Sequence, residues 1–508
     1  MAQEPESPST DDGPGLAGDV KRGLLWSTVN SLVLRLGSVV LGMVLARLLL
    51  PAEFGVYAVG LTVQAVLLTL VDLGMSVDLV RAEDPEKRAP TVALLSLISS
   101  VILASLMAIT ASPVAHLLGA PDAANVIAVL AGTLVISGAG VVPYAKLQRD
   151  FEQKKLFSTS LVDFVVGTGV TVVLVVAGVG PLALALGRVA AQSCSTSLQF
   201  VLARVRPRFG FDREVARSAI AFGLPLAVAN LLSWALLNID NVVIARSTGA
   251  AALGIYVLAF NVSTWPISAI GQAVRGVSLA GFSRASREGE ASSLRVALTL
   301  TWAAALLAGV LLAALANPLI ELLYGHRWGA AAPVLAALGF FGAVRVVLDL
   351  LATYLMAHGK ARSVLGVQIA WTAALVPAVI VGTEIDGIAG AGWAHLIVAV
   401  LVILPAYGIA VRHAGVTPRE LTVALTAPLV AAAGAWLAAH EVAARFDTPA
   451  IALVLGGLAG CAVYGALSYR RIRALLPSRA PVDTEADHDA ELLARRVLVD
   501  QPTLEGVT

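Results

Sequence analysis

The sequence predicts an all-α integral membrane protein of about 14 transmembrane helices, arranged as two parallel six-helix lobes around a central cavity with a C-terminal helix pair appended. Three observations predict it. Hydrophobic residues are 58% of the 508 and charged residues only 14%, and the mean hydropathy is +0.83; a soluble domain has roughly 45–50% and about 25%. The apolar surplus falls into runs of about 20 residues, each the length that spans a ~30 Å hydrocarbon core. Two stretches six runs apart also resemble one another in residues that apolar composition does not explain.

Residues 1–20 are acidic, rich in Pro, Ser, Gly and Asp, and carry no basic residue before Lys21. They read as a disordered tail, without the basic start and short apolar core of a secretory signal. The first six apolar runs cover 24–47, 55–80, 91–112, 123–145, 157–178 and 181–203. Six more follow at 217–245, 253–275, 294–316, 331–357, 362–383 and 387–411, and a last pair at 420–439 and 449–469. Pro225, Pro266 and Pro377 lie inside runs, where a missing backbone N–H favours a bend. The connection over 276–293, with Arg284, Arg287, Leu279 and Phe282, reads as an amphipathic segment on the membrane surface. Residues 471–508 form a mixed-charge tail.

Lysine and arginine set the orientation. One set of alternate loops holds 24 of them, including Lys21, Arg88, Lys146, Arg204, Arg206, Arg208 and Arg412; the other holds only Arg47, Arg246, Arg327 and Arg445. Both termini are therefore expected on the cytoplasmic side, with an even number of helices. Arginine outnumbers lysine 29 to 6, which points to a GC-rich bacterial genome. The net charge of +1 gives no reason to expect a nucleic-acid partner.

The repeat is the most informative feature. The first run ends in ARLLLPAEFGVYAV and the seventh in ARSTGAAALGIYVL. At an offset of 199, Ala46, Arg47, Gly55 and Tyr57 match Ala245, Arg246, Gly254 and Tyr256. At an offset of 205, Pro113, Leu117 and Leu118 match Pro318, Leu322 and Leu323. Repeats six helices apart share an orientation, so the expected symmetry axis lies along the membrane normal, as in two-lobed transporters that rock between states. The expected division is a tail over 1–20, a first lobe over 21–205, a second over 206–415, an added pair over 416–470 and a tail over 471–508.

An ionisable side chain at mid-membrane costs about 2.5–3.5 kcal/mol on insertion scales, so it faces protein or a water-filled cavity. Arg35 is mid-run with no acid within four positions, and needs a partner from another helix or an anionic ligand. Arg345 and Asp349 share one face of the tenth run; they read either as a self-neutralising pair or as cavity groups. Arg188 lies a third of the way into the sixth run, and Asp163 and Arg275 lie near enough to the basic side to snorkel. Asn230, Asn238, Asp240 and Asn241 mark the outer half of the seventh run, where they line a cavity or simply hydrate the helix end. The functional reading takes Arg35, Arg188, Arg345 and Asn230 as substrate-binding, because the guanidinium fork suits a diphosphate. Asp349, Asp72 and Asp240 are the ion-coupling candidates. A lipid-linked substrate would also need an apolar groove for its tail.

No catalytic residue, cofactor or metal is expected. The chain has no P-loop, HExxH, CxxC or GxSxG motif. Cys194 and Cys461 sit in apolar runs, and the histidines show no metal spacing.

Four segments carry a resemblance to a known family: ARLLLPAEFGVYAV, VDLGMSVDLVR, YAKLQRDFEQKKL and NIDNVVIARSTGAAALGIYVLAFNV. With them, residues 20–470 resemble the polysaccharide-transport family, the Wzx-like flippases of the multidrug/oligosaccharidyl-lipid/polysaccharide flippase superfamily. The resemblance implies a two-lobed exporter in the bacterial inner membrane. It also implies an undecaprenyl-diphosphate-linked oligosaccharide as substrate, membrane lipid as surroundings and polysaccharide assembly proteins as partners. It assigns no lumenal cation position by position. A drug or cation exporter of the superfamily, which would favour an acidic cavity, and a lipid II flippase are the neighbouring readings. A membrane-embedded polymerase or ligase would carry a large external loop, and none here exceeds roughly fifteen residues.

Overall fold

The structure, a computed structural model, describes residues 37, 40–72, 74–284, 290–412, 425–426 and 428–475. Arg35, the N-terminal tail, residues 476–508 and residues 285–289 of the expected surface segment lie outside the described residues, while 471–475 of the expected C-terminal tail continue the last helix. On either side of that gap the chain is helical, so the connection expected over 276–293 is largely helix continuing from its neighbours. Among the described residues the regular structure is helical throughout, and eight spans are long and apolar enough to cross a membrane. This is a multi-span membrane protein.

The first half consists of α1 (40–48), α2 (Pro51–Val71), α3 (Met75–Arg81), α4 (Pro85–Ile109), α5 (Ala111–Leu117), α6 (Ala124–Arg149), α7 (Gln153–Val176) and α8 (Leu182–Ala203). The second consists of α9 (Arg213–Thr248), α10 (Ala250–Arg284), α11 (Glu290–Ala314), α12 (Ala316–Tyr324), α13 (Ala331–Ala357), α14 (Ala361–Val398) and α15 (Leu404–Arg412). A five-residue π-helical segment, Ala399–Ile403, joins α14 to α15. The final pair is α16 (Leu429–Ala443) and α17 (Pro449–Leu475).

Local chemistry sets the breaks. Pro51 opens α2, where its missing N–H is no loss, and Glu53 reaches back to accept from Leu50 N at 2.8 Å. The run expected over 55–80 divides at Asp72–Gly74, because Asp72 turns its carboxylate onto the start of α3. The unbroken helical span of α14 hides a reversal. Asp386 and Gly387 leave the helical region, and a Cβ on Gly390 would lie 1.9 Å from Gly382 O. Two residues eight apart touch only if the chain has turned back, so the runs 362–383 and 387–411 are two antiparallel arms.

The repeat reappears in the elements. Helices α2 and α10 start 199 residues apart, at Pro51 and Ala250. The starts of the short α5 and α12, and of the 3-10 turns Pro121–Ala123 and His326–Trp328, are both 205 apart. Packing repeats too: α6 holds α2, α4 and α8 as α13 holds α10, α11 and α14. Where the halves meet, the contacts are reciprocal. Trp328 Nε1 donates to Ala46 O at 2.8 Å, while a Cβ on Gly119 would sit 3.2 Å from Ala245 O, the repeat partner of Ala46. Small residues allow these approaches, since apolar lipid offers helices no hydrophobic drive and close van der Waals packing takes its place. The last pair docks on α11: Tyr464 Oη donates to Ala303 O at 2.7 Å, and Trp302 Nε1 donates to Leu425 O at 2.7 Å.

Candidate functional site

Asp240, seated two turns before the end of α9, is only 2% exposed. Charge at that depth requires partners, and the fold supplies them from three directions. Tyr256 Oη, from α10, donates to Asp240 Oδ2 at 2.6 Å, and Asn241 N donates to Oδ1 at 2.9 Å. From α14, His395 Nε2 stands 3.6 Å from Oδ2. His395 Nδ1 lies 3.0 Å from Ala391 O, a pure acceptor, so Nδ1 carries the proton. In the neutral ring Nε2 is then a lone pair facing a carboxylate. A proton placed between them turns that opposition into an attraction.

His395 also forms one wall of a polar cavity of about 80 Å³, opposite Arg345, Asp349 and Gln368, with Phe341 and Trp371 around them. The Phe341 ring packs edge-on to the imidazole, centroids 5.1 Å apart. Arg345 and Asp349 thus face the cavity together, one turn apart on α13. Arg345 is half-buried at this cavity.

The opposite side of α13 borders a second space. An almost wholly apolar groove of about 660 Å³ runs between α11, α13, the π-helical segment and α16, walled by Trp302, Val310, Val347, Val400, Ala433 and Trp436. The added pair therefore completes a groove that the second half alone would leave open.

The remaining sequence candidates are placed as follows. Arg188 of α8 is bound to Asp163 of α7 at 3.1 Å, beside Tyr57; its charge is matched within the first half. Asp72 caps α3, accepting from Ser76 N at 2.9 Å and Ser76 Oγ at 2.5 Å. Asn230 is exposed on α9, away from the cavity lining. Tyr256, His395 and Gln368 were not among the candidates. For His395 a signal existed: it is an ionisable residue inside the apolar run 387–411, subject to the same cost as the arginines.

Helical membrane spans with polar groups buried between them define a known class of fold. The lipid II flippase MurJ in its inward closed conformation shares it, with a TM-score of 0.72 at 14% identity over 89% of this chain and all of that one. An inward-facing multidrug resistance transporter of the MATE family, of the MOP superfamily, gives 0.57 at 18% over 73% and 93%. Within that class the chain belongs to the polysaccharide biosynthesis protein family, which matches residues 44–333. It is 28% identical to the succinoglycan biosynthesis transport protein ExoT of Rhizobium meliloti (strain 1021), over 85% of this chain and 89% of that protein. The teichuronic acid biosynthesis protein TuaB of Bacillus subtilis (strain 168) is 25% identical over 68% and 73%. The lipopolysaccharide biosynthesis protein WzxC of Escherichia coli (strain K12) is 24% identical over 80% and 84%.

Proposed function

We propose that this chain is a flippase, not an enzyme, that moves a lipid-diphosphate-linked oligosaccharide, the repeat unit of a polysaccharide, across the bacterial inner membrane. The observation that carries the reading is the pairing on α13 of a polar cavity holding Arg345 with an apolar groove on its other side. A charged head and a long apolar tail need those two environments side by side. The names of ExoT and WzxC, which speak of transport and of polysaccharide or lipopolysaccharide biosynthesis, favour this cargo over lipid II or a drug.

In this reading residues 21–205 and 206–415 act as parallel lobes, 416–470 add the pair that closes the groove, and both termini are cytoplasmic. The lobes rock about the contacts at the arginine-poor end, where Arg47 Nη2 donates to Leu322 O at 3.2 Å. Arg345 and Arg35 hold the diphosphate, with Asn230 and Arg188 reached as the lobes move. Asp240 with His395, and Asp349 beside them, carry the coupling cation; Asp72 serves the α2–α3 break. The test is reconstitution. Liposomes holding the purified chain and a labelled undecaprenyl-diphosphate oligosaccharide should expose the sugar on the opposite leaflet, read by an impermeant sugar-modifying reagent. Translocation no faster than in protein-free liposomes would overturn the reading.

A further inference from the structure

A cavity of about 720 Å³ lies at the basic end of the first half, between the start of α4 and the ends of α6 and α8. No residue of α9–α17 lines it, so it stands apart from the meeting of the halves and from the cavity at Arg345. Its mouth carries Lys146, Arg149, Arg204, Arg206 and Arg208 against Glu86 and Asp150. Its floor is apolar: Leu79, Ala93, Leu97, Ala139 and Val142. Leu97 is twelve residues into α4 and Ala139 ten from the end of α6, so the cavity reaches about 15 Å along the helices from the basic end.

The walls are built rather than loose. Gly210 N donates to Pro90 O at 3.3 Å and Asp212 N to Thr91 Oγ1 at 3.0 Å, strapping the 204–212 segment across the start of α4. Arg149 donates to Ala82 O and so is held at the rim. Among the described residues, the non-glycine residues with positive φ are Phe151 at 53° and Arg204 at 52°. Arg204 lines this cavity and Phe151 adjoins Asp150 at its edge. Eight glycines take the positive-φ positions elsewhere, so backbone strain of the kind that marks binding sites is gathered here. Phe151, Phe209 and Phe211 are largely exposed around the same rim. Exposed Phe rings beside arginines set apolar surface next to charge, the combination of a segment lying at a membrane interface.

We propose that this cavity binds an anionic glycerophospholipid of the bilayer. Its phosphate lies among Arg204, Arg206, Arg208 and Lys146, and one acyl chain follows Leu97, Ala139 and Val142. Basic pockets between helices on the cytoplasmic side take anionic headgroups, because the phosphate keeps its charge partners while the tail stays in hydrocarbon. A free anion would need no floor of that depth. Because the strapped segment is the link between the two halves, the bound lipid braces the joint between them.

The test uses the full chain in detergent, titrated with phosphatidylglycerol, with phosphatidylcholine of the same acyl chains and with inorganic phosphate, read by native mass spectrometry. Phosphatidylglycerol should bind at least tenfold more tightly than phosphatidylcholine. The triple change Arg204→Gln, Arg206→Gln, Arg208→Gln should remove that preference. An equal loss of charge at the exposed Lys360, Arg362 and Arg412, each changed to Gln, should leave it intact. Ala139→Trp, which fills the floor without touching charge, should weaken lipid binding; if it impairs folding, the two triple variants still decide. Equal binding of both lipids, equal loss in both triples, or inorganic phosphate displacing the lipid at comparable concentration would each overturn the proposal.

Discussion

Gly55 and Gly254 stand against one another at the starts of α2 and α10, each where its counterpart's helix begins. A Cβ on Gly55 would lie 1.7 Å from Ala250 O, and one on Gly254 would lie 2.5 Å from Pro51 O. Gly55 and Gly254 are repeat partners, as are Pro51 and Ala250, so the contact is its own image under a two-fold exchange of the halves. Reciprocity of this kind is what a parallel repeat produces and an unrelated pair of helices does not.

Gly55→Ala is therefore expected to destabilise the protein by more than the ~1–3 kcal/mol of ordinary overpacking, since the Cβ meets backbone that cannot rotate away. Gly254→Ala should do the same, and the double variant should be no worse than about either alone, because one separation relieves both clashes. Thermal unfolding in detergent measures this. Full additivity would show that the two glycines act at separate contacts.

The Asp240 cluster offers a chemical test. Asp240→Asn keeps the acceptor for Tyr256 Oη but removes the charge facing His395. The variant should remain in the membrane while export falls at least tenfold. Tyr256→Phe should do less harm, losing a donor but no charge. His395→Gln should lower export as Asp240→Asn does, because it removes the ring that faces the Asp240 carboxylate. Undiminished export by Asp240→Asn would leave the cluster a structural one.

At Arg345, replacement by Ala should abolish flipping without loss of folded protein, and replacement by Lys should rescue only partly, because an ammonium keeps charge and loses the fork. Arg35→Ala should behave alike if both grip one diphosphate. Asp349→Asn should be milder if the carboxylate only tunes Arg345. Binding of the lipid-diphosphate sugar, separated from its transport, distinguishes these cases; unchanged affinity in Arg345→Ala would remove it from the substrate site.

Topology can be read with reporters. A fusion after Arg213 is expected to report the cytoplasm and one after Thr383, three residues before the reversal at Asp386, the outside. Both reporting the same side would break the orientation drawn from the 24-to-4 bias of basic residues.

The sequence by itself determined that the chain crosses a membrane many times, because run length against bilayer thickness is a local quantity. It also shows Arg47, Gly55 and Tyr57 recurring as Arg246, Gly254 and Tyr256, in positions where apolar drift would not place them. Which ionisable groups meet was left to tertiary structure. Asp240 and His395 come from helices far apart in the chain, and Arg188 finds Asp163 only once α7 and α8 have packed. The physical reason lies in the solvent. In water a helix reveals its inner face by an apolar stripe, but in a bilayer the lipid-facing side is as apolar as the packed one. Rotation about each helix axis is therefore invisible in the pattern of residues. Whether Asp72 caps α3 or faces a cavity, and whether Arg345 stands free or paired, is decided by how the helices pack.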